Sequence, residues 1–334
     1  MARLRGDMRR IEELLTRFDR EIREAFLAAV MSARRAVDVR ALEAALGAGD
    51  LSRAVELLRL NQALLFPLDA AINASFIAGG QMIGAGIPAS AGVLGFDGRA
   101  YRAEQWARQH VGNLIREIIA DQVAMTRAVI EAQLAAGRNP RAIITELVGR
   151  VTAQGRQGGF IGLTERQASY ATRARAELAA LDRAYFGRAL RDRRFDRLVD
   201  RAIREGRPLS AADMDRIAGR YRDRLLAHRA EVIARTESIT ALRAGRAEGI
   251  RQAAEQGIID PTRVKRIWDA TMDRRTRPDH REMHGTEVDG LDAPHVLPDG
   301  SRMMYPGDTS LGADPSQTIQ CRCVERYKLD WLRA

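Results

Sequence analysis

The stretch RDRLLAHRAEVIARTESITALRAGRAEGIRQAA, residues 222–254, decides the fold, because it predicts one long helical run that ends at Gly257. Elsewhere the composition has the same character, with aromatic residues at only 5 % and abundant alanine. A core of Ala, Leu, Ile and Val with few rings favours packed helices over a β-sandwich. We therefore expect a mainly α protein, in which a long helical body is followed by a small loop-rich α+β C-terminal module.

Helical patterns also cover most of the chain before this run. Residues 7 to about 46 and residues 101–136 carry apolar side chains at spacings of three and four, with charges between them. Capping residues predict four further helix starts, at Asp50, Asn139–Pro140, Thr164 with Gln167, and Ser210. Residues 154–162, QGRQGGFIG, predict a loop.

Residues 70–96, AAINASFIAGGQMIGAGIPASAGVLGF, contain no charged side chain. The stretch is long enough to span a bilayer, but its many glycines, with Asn73, Gln81 and Ser90, make it a poor membrane helix. We expect a packed helix end followed by a flexible linker, with a mobile joint near residues 79–98. The alternative is a segment that contacts other subunits or a membrane during ejection.

The pattern changes after Asp260–Pro261. Residues 262–334 hold both cysteines and three of the five histidines, and the runs Val264–Ile267 and Ile319–Val324 predict strands between irregular loops. We place a boundary near residue 258. The predicted domains are 1–98, N-terminal helices with a glycine-rich flexible segment; 99–258, the helical body; and 259–334, the small α+β module.

The net charge of +10 comes almost entirely from arginine, since Lys265 and Lys328 are the only lysines. Two interpretations stay open. Arginine binds anionic oxygens bidentately and would suit phosphate, or arginine has simply replaced lysine throughout the chain. In either case the positive excess makes DNA an acceptable neighbour.

The segments WDATMDRRTRPDHREMHG, residues 268–285, and QCRC, residues 320–323, hold four candidate metal ligands. His280 and His284 share one face if that segment is helical, and Cys321 and Cys323 share one face if theirs is extended. Two imidazoles and two thiolates on converging faces would make a tetrahedral zinc site. Alternatively, the histidines are hydrogen-bonded surface residues, among them partners of the Asp273–Asp279 cluster, and the cysteines pack as small apolar groups.

Enzyme motifs do not fit these residues. The order H-R-E-M-H at 280–284 is not the H-E-x-x-H of zinc proteases, and Q-C-R-C lacks the P-C-x-x-C of zinc deaminases. The chain contains neither a phosphate-binding glycine loop nor G-x-S-x-G. We therefore expect no enzymatic activity and no catalytic residues.

Several of these segments together resemble the Mu F-like, or phage head-morphogenesis, domain. The resemblance rests on ARTESITALRAGRAEG at 234–249, Trp268, DRRTRPDH at 273–280, His284–Gly285 and CRC at 321–323, and it extends over roughly residues 140 to 327. The segments GRNPRAIITELVGR and GGFIGLTERQASYATRARAEL resemble the upstream helical part of such proteins.

The resemblance implies a low-copy virion protein that acts in head assembly beside the portal, and some members leave the head with the DNA. It implies the portal protein and the major capsid or other head proteins as partners, with packaged DNA contacted through arginines and no membrane contact. The start, MARLRGDMRRIEELL, has no signal-peptide core, so we expect synthesis in the bacterial cytoplasm and a final place in the virion head.

The same domain occurs in toxin-like proteins, so the alternative is a nuclease-like or toxin-like enzyme built on the C-terminal module. The resemblance also strengthens the expectation of zinc bound by His280, His284, Cys321 and Cys323, which match its most distinctive motifs. Such a closed site would have a structural role.

Overall fold

The protein is mainly helical, as the sequence predicts, with 63 % of the chain in helices. The computed structural model describes residues 2–3, 7–153 and 155–329. The longer helices are α1 (Asp7–Ala36), α2 (Val39–Gly47), α3 (Leu51–Leu57), α4 (Phe66–Ala85), α5 (Tyr101–Trp106), α6 (Gly112–Ala135), α7 (Pro140–Val148), α8 (Glu165–Ala179), α9 (Asp196–Glu205) and α10 (Ala211–Glu255). Two short helices, α11 (Pro278–Glu282) and α12 (Pro315–Thr318), lie in the C-terminal region.

The strands are short and mostly C-terminal. They are β1 (Ala2–Arg3), β2 (Arg150–Thr152), β3 (Gly155–Gln157), β4 (Lys265–Asp269), β5 (Glu287–Asp289), β6 (His295–Val296), β7 (Arg302–Met303) and β8 (Val324–Leu329). Single 3-10 turns lie at Gln62–Leu65, Arg183–Gly187, Arg193–Phe195 and Pro261–Arg263, and a π-helical turn at Ala107–Val111 joins α5 to α6.

The chain forms two compact units. The first unit holds the described residues within 1–24, 68–112 and 231–334, and the second unit holds 25–67 and 113–230. The predicted division into 1–98, 99–258 and 259–334 follows chain order, whereas each compact unit gathers separated segments. As a statement about domains that fold alone, that division stays a prediction.

The second unit is a helical core with one small hairpin. Helix α2 packs against α7, and β2 pairs with β3 in antiparallel register. Helix α8 begins with the predicted capping box, in which Thr164 Oγ1 accepts from the Gln167 amide and the Gln167 side chain accepts from the Thr164 amide. The buried apolar side chains of the second unit include Phe26, Val30, Leu42, Leu46, Ile143, Leu147, Phe160, Ile161 and Leu226.

In the first unit, α4 and α10 touch through their backbones. A Cβ atom at Gly79 would overlap the carbonyl oxygen of Leu242, and one at Gly245 would overlap that of Phe76. Such an approach needs residues without side chains. Ser75 Oγ also donates to the carbonyl oxygen of residue 238 on α10 at 2.8 Å. This hydrogen bond and the close backbone approach together fix the crossing of α4 and α10.

The predicted flexible joint near residues 79–98 is wrong for residues 79–85. These residues lie in α4, and Gly79 and Gly80 are buried there; their glycines serve helix packing instead of chain mobility. The packed helix end is confirmed. Further along, Gln252 and Gln256 bond through their side-chain amides to the backbone of Asp97 and Gly95, which holds the end of the predicted linker.

Two helix and loop boundaries also differ from the predicted ones. The helix expected from residue 7 to about 46 is broken at Val37–Asp38, because the Asp38 side chain accepts from the amides of residues 40 and 41 and starts α2. The loop expected at 154–162 includes β3; its first residue, Gln154, lies outside the described residues. A turn closed by the carbonyl of Gly155 and the Thr152 hydroxyl supports this hairpin.

The predicted small α+β region after residue 258 is confirmed. A four-stranded antiparallel sheet has the order β1-β8-β4-β5, and β6 pairs with β7 separately. Strand β4 contains most of the predicted run Val264–Ile267. The strand expected at Ile319–Val324 is wrong except at Val324, since β8 begins only there and Asp314 with Pro315 starts a helical turn just before.

Among the described residues, one helical stretch, Leu51–Ala85, meets the length and hydropathy of a membrane span. The core helix of a soluble protein passes the same test, and Leu68, Ile72 and Phe76 of α4 are buried inside the protein. Burial in the core therefore accounts for the apolar character of α4.

Candidate metal centre

Three of the four predicted ligands meet at one buried point in the first unit. Helix α11 begins at Pro278, whose fixed φ suits the first turn of a helix, and its third residue is His280. Cys321 and Cys323 lie in the irregular segment that leads into β8. Gln320 has a φ of +55°, and this left-handed residue turns the chain from α12 toward the cysteines.

The imidazole faces both sulfurs through one nitrogen. His280 Nδ1 lies 3.3 Å from Cys323 Sγ and 3.6 Å from Cys321 Sγ. The three candidate ligand atoms all lie within 4.8 Å of one another, and each of the three residues is at most 2 % exposed. The residues therefore form a His/Cys/Cys cluster that could hold a metal ion.

The distances fit a zinc ion. Zn–N and Zn–S bonds of about 2.0 and 2.3 Å at tetrahedral angles place a nitrogen about 3.5 Å from each sulfur. The two observed nitrogen–sulfur distances bracket that value. Thiolate and imidazole are also the ligands that zinc prefers in structural sites, so the residues present fit the ion.

The surroundings of the cluster are apolar apart from one cation. Trp268 and Met283 belong to the same buried core, and the Trp268 ring meets the His280 ring edge to face, with centroids 5.4 Å apart. Arg243 on α10 is 2 % exposed and donates to the Cys321 carbonyl oxygen at 3.0 Å. A buried guanidinium beside two sulfurs favours their thiolate forms.

The pKa values of the two thiols are shifted in opposite directions. A hydrogen bond from Cys323 holds the pKa of Cys321 well below its usual range, with the charge of Arg243 acting in the same direction. The same hydrogen bond, together with burial and the Cys321 charge, raises the pKa of Cys323. His280 Nε2, on the other side of the ring, is buried without a hydrogen-bond partner among the residues described.

His284, the fourth predicted ligand, is not brought into this group. It lies beyond the end of α11, and its side chain is 38 % exposed. Its Nδ1 accepts from the Ala270 amide at 3.1 Å and lies 3.3 Å from Asp269 Oδ1. The four-ligand site as a whole stays a prediction.

The acidic cluster offered as the metal-free alternative has other partners. Asp273 forms a two-fold ion pair with Arg322, with both nitrogen–oxygen distances at 2.6 Å, and these bonds hold the pKa of Asp273 well below its usual range. Asp279 accepts from Gln317 at 2.7 Å. Within the described residues, His280 Nδ1 faces the two sulfurs instead.

Sequence reasoning missed two groups around the centre. Arg243 was read only as part of a helical run, although the small residues of ITALRAGRAEG around it could have signalled a buried helix face. His295 was not considered either. It is fully buried, its Nε2 lies 2.8 Å from Glu325 Oε1, and its ring meets the opposite side of Trp268.

A cleft of about 500 Å³ lies beside the cysteine segment and is lined by four arginines, Arg235, Arg275, Arg277 and Arg322, with residues 315, 316, 319 and 320. No carboxylate is among these lining residues. Arg322 is paired with Asp273, and Arg277 donates to the carbonyl oxygen of residue 319 at 2.5 Å. Arg275 is exposed and has no ion-pair partner within the described ranges. The cleft therefore favours an anion.

The chain thus combines a helical body with a small sheet-containing region and a buried His/Cys/Cys cluster. The model of the Phage Mu protein F like protein family matches residues 124–326, more than half of the chain and the whole of the cluster. The protein belongs to this family, as its sequence motifs predict. No curated protein and no solved structure matched the chain.

Proposed function

We propose that this protein is a minor structural protein of a tailed-phage head that associates with the portal and acts in head assembly. The observation that carries the proposal is the family match, which spans residues 124–326 and includes every residue of the cluster. The family is one of phage structural and morphogenesis proteins. The proposed place of the protein is the virion head, after synthesis in the host cytoplasm.

In this proposal the metal centre holds the C-terminal region together. Zinc would join side chains that are about 40 residues apart in sequence, in a region whose strands are only two to six residues long. Small regions of this kind gain most of their stability from such a cross-link. Burial of His280, Cys321 and Cys323 leaves no surface for a substrate, which favours a structural role over a catalytic one.

The chain holds the cysteine segment in place from several sides. Arg243 donates to the Cys321 carbonyl oxygen, Thr236 accepts from the Gln320 amide at 3.2 Å, and Thr271 donates to the Arg322 carbonyl oxygen at 3.2 Å. The same segment supplies Gln320 and Arg322 to the arginine-lined cleft. The metal centre would thus hold Gln320 and Arg322, two lining residues of the cleft, in position.

We propose that this cleft contacts the packaged DNA. Arg275 and Arg277, which have no carboxylate partner among the described residues, offer guanidinium forks that match phosphate oxygens, and the chain as a whole carries a net charge of +10. Such contacts would be independent of base sequence and sensitive to salt.

Contact with the portal and other head proteins is assigned to exposed apolar groups at the start of α5 and in the segment before it. Val93 and Tyr101, both in the first unit, are 88 % and 79 % exposed. Large apolar side chains in such positions are typical of surfaces that bind another subunit. Membrane contact forms no part of the proposal, and neither does hydrolysis of nucleic acid or peptide.

Co-expression with the portal protein and capsid protein of the same phage tests the proposal. We expect a tagged form of this chain to recover the portal protein, and we expect the double variant Val93→Ser/Tyr101→Ser to recover less of it. Recovery of neither portal nor capsid protein would refute portal association. Metal-dependent cleavage of DNA or RNA that is lost in His280→Ala would instead support the nuclease-like alternative.

A further inference from the structure

The second unit contains a cavity of about 450 Å³ that no feature of the proposed function uses. The hairpin β2–β3 and parts of α7 and α10 supply its walls. Six arginines and three carboxylates are among the lining residues: Arg138, Arg141, Arg150, Arg216, Arg220, Arg222, Glu146, Asp215 and Asp223. Its size suits a small molecule or the end of a peptide.

The cavity wall depends on close backbone approach. Gly158 has a φ of +74°, and a Cβ atom there would lie 2.8 Å from the Cα atom of Gly219 on α10. Asp223, one turn further along α10, accepts from the Gly158 amide at 2.7 Å. The chain after the hairpin therefore approaches α10 closely at Gly158 and Gly219 and is bonded to it through the Asp223 side chain, and the space beside that contact stays open.

Arg222 on α10 is the unusual group in this cavity. It is 7 % exposed, and its guanidinium stacks on the Phe160 ring at 4.7 Å from the ring centroid. None of its nitrogens makes a hydrogen bond among the residues that the structure describes, and its Nε is wholly buried. Its one carboxylate neighbour within 4 Å is Glu146, at 3.8 Å, too far for a hydrogen bond.

Two other buried arginines of the same unit have hydrogen-bond partners for their guanidinium groups. Arg34, 1 % exposed, donates to the carbonyl oxygens of Gly159 and Ile161 at 2.7 to 3.2 Å. Arg229 donates to the Gly162 carbonyl oxygen at 3.0 Å and to Asp121 at 2.7 Å. Each of these arginines donates hydrogen bonds that account for its burial, whereas Arg222 donates none to the residues that the structure describes.

The carboxylates of the cavity are already engaged. Glu146 accepts from Gln133 at 2.8 Å and from Arg138 at 3.3 Å. Asp215 accepts from Arg175 at 2.6 Å and also pairs with Arg150. Glu146, Asp223 and Asp215 act to raise the pKa of Arg222, but burial outweighs them and lowers it. A buried cation with unmade hydrogen bonds costs free energy unless a ligand satisfies it.

We propose that this cavity binds the oxyanion group, carboxylate or phosphate, of a small ligand or peptide end, with Arg222 as the group that holds it. An oxyanion accepts two hydrogen bonds from one guanidinium fork, so a single bound group would satisfy the donors that the protein leaves free. The arginines at the rim would accept further negative charge. The inference does not rest on the proposed role in the phage head.

Thermal unfolding and titration calorimetry of the whole protein with sodium phosphate and with sodium citrate test this site, with sodium chloride at equal ionic strength as the reference. We expect one saturable site and a rise in Tm of roughly 2 to 4 °C at ten times Kd. Preference for phosphate or for citrate assigns the ligand class. Failure of both anions to exceed the chloride reference would overturn the proposal.

The variant Arg222→Met keeps the length and packing of the side chain and removes its charge. Since an uncompensated buried charge is removed, we expect a Tm close to that of the parent protein and a loss of at least tenfold in anion affinity. Arg222→Lys, which keeps the charge without the fork, should bind more weakly than the parent. Arg59→Gln, an exposed change in the same unit, should alter neither quantity. An anion response that persists in Arg222→Met would refute the assignment.

Discussion

At Cys321 and Cys323, a single intervening residue allows the two side chains to turn toward the same histidine while that residue points elsewhere. Arg322 uses this geometry to reach Asp273, so one tripeptide supplies two metal ligands and one lining residue of the arginine cleft. Because both cysteines face His280 and the residue between them pairs with Asp273, a change at either cysteine should affect both the core and the cleft.

The first prediction concerns Cys321→Ser. The parent protein, purified without chelator, should carry about one equivalent of zinc, and the variant should carry little. Losing a structural metal costs several kcal/mol, so we expect Tm to fall by roughly 10 °C. Elemental analysis and calorimetry measure both. Less than about a tenth of an equivalent in the parent, with an unchanged Tm in the variant, would remove zinc from this account.

The second prediction separates the two histidines. His280→Ala should abolish zinc binding, because its Nδ1 faces both sulfurs. His284→Ala should weaken zinc binding about tenfold or more if His284 completes the site. The same variant should leave zinc binding unchanged if His284 of the parent protein keeps its contacts with Ala270 and Asp269 when zinc is bound. Competition with a chromophoric chelator gives both affinities. Zinc binding that survives His280→Ala would contradict the centre described here.

For single residues, the sequence indicated which residue types form the candidate site better than it indicated where each side chain lies. The pairing of histidine with C-x-C identified His280 and both cysteines, because few other side chains in the chain ligate soft metals. It could not place His284, since that required knowing that α11 ends at Glu282. Arg222 and Arg243 were hidden for a different reason: in a chain with this many arginines, a buried arginine looks like any exposed one.

Among the elements, the crossing of α4 and α10 depends on glycine more than on any apolar side chain. Gly79 on one helix, and Gly245 and Gly249 on the other, would each bring a Cβ atom against the facing backbone, whereas one at Gly80 would overlap the Phe96 ring. The same glycines predicted a flexible joint from sequence. Glycine composition alone cannot distinguish a mobile segment from a close helix contact, because both need the absence of a side chain.

The third prediction concerns this crossing. In Gly245→Val the new side chain would overlap the Phe76 carbonyl oxygen, so the helices must separate, and we expect a loss of roughly 3 kcal/mol in the free energy of unfolding. Gly112→Ala is the matched control, since a Cβ atom there has no neighbour within 4 Å. It should be neutral or stabilising by up to about 1 kcal/mol. Chemical denaturation compares them, and equal stabilities would contradict the packing.

Most helix starts could be predicted because the capping signal is local. Asn139 accepts from the Ala142 amide and Ser210 from the Asp213 amide, both as expected. The strands were harder, since β1, β6 and β7 are two residues long and form only through pairing with distant segments. The break at Asp38 was missed because its cap lies inside an uninterrupted apolar pattern.

For the whole molecule, the positions of the arginines determine which part of the net charge of +10 can attract DNA. Many form ion pairs, such as Arg102 on α5 with Glu248 and Glu255 on α10, and these contribute little attraction to DNA. Arg275 and Arg277, by contrast, have no carboxylate partner among the described residues. The cleft of the first unit therefore gathers two arginines whose charge is available to a polyanion.

The fourth prediction follows from that concentration. Arg275→Gln/Arg277→Gln should weaken binding of random-sequence duplex DNA and reduce the slope of log affinity against log salt by about 2. Arg274→Gln, an exposed neighbour that does not line the cleft, should change affinity only slightly. Fluorescence anisotropy at several salt concentrations measures both. Equal effects from the two variants would show that the cleft has no special role.

The protein's place in the head is the central claim, and the composition of purified procapsids tests it most directly. Procapsids assembled with the portal should contain a few copies of this chain per particle by quantitative mass spectrometry. Procapsids assembled from capsid and scaffolding proteins without the portal should contain far fewer. Equal amounts in both preparations would contradict portal association, and absence from both would contradict the assignment to the phage head.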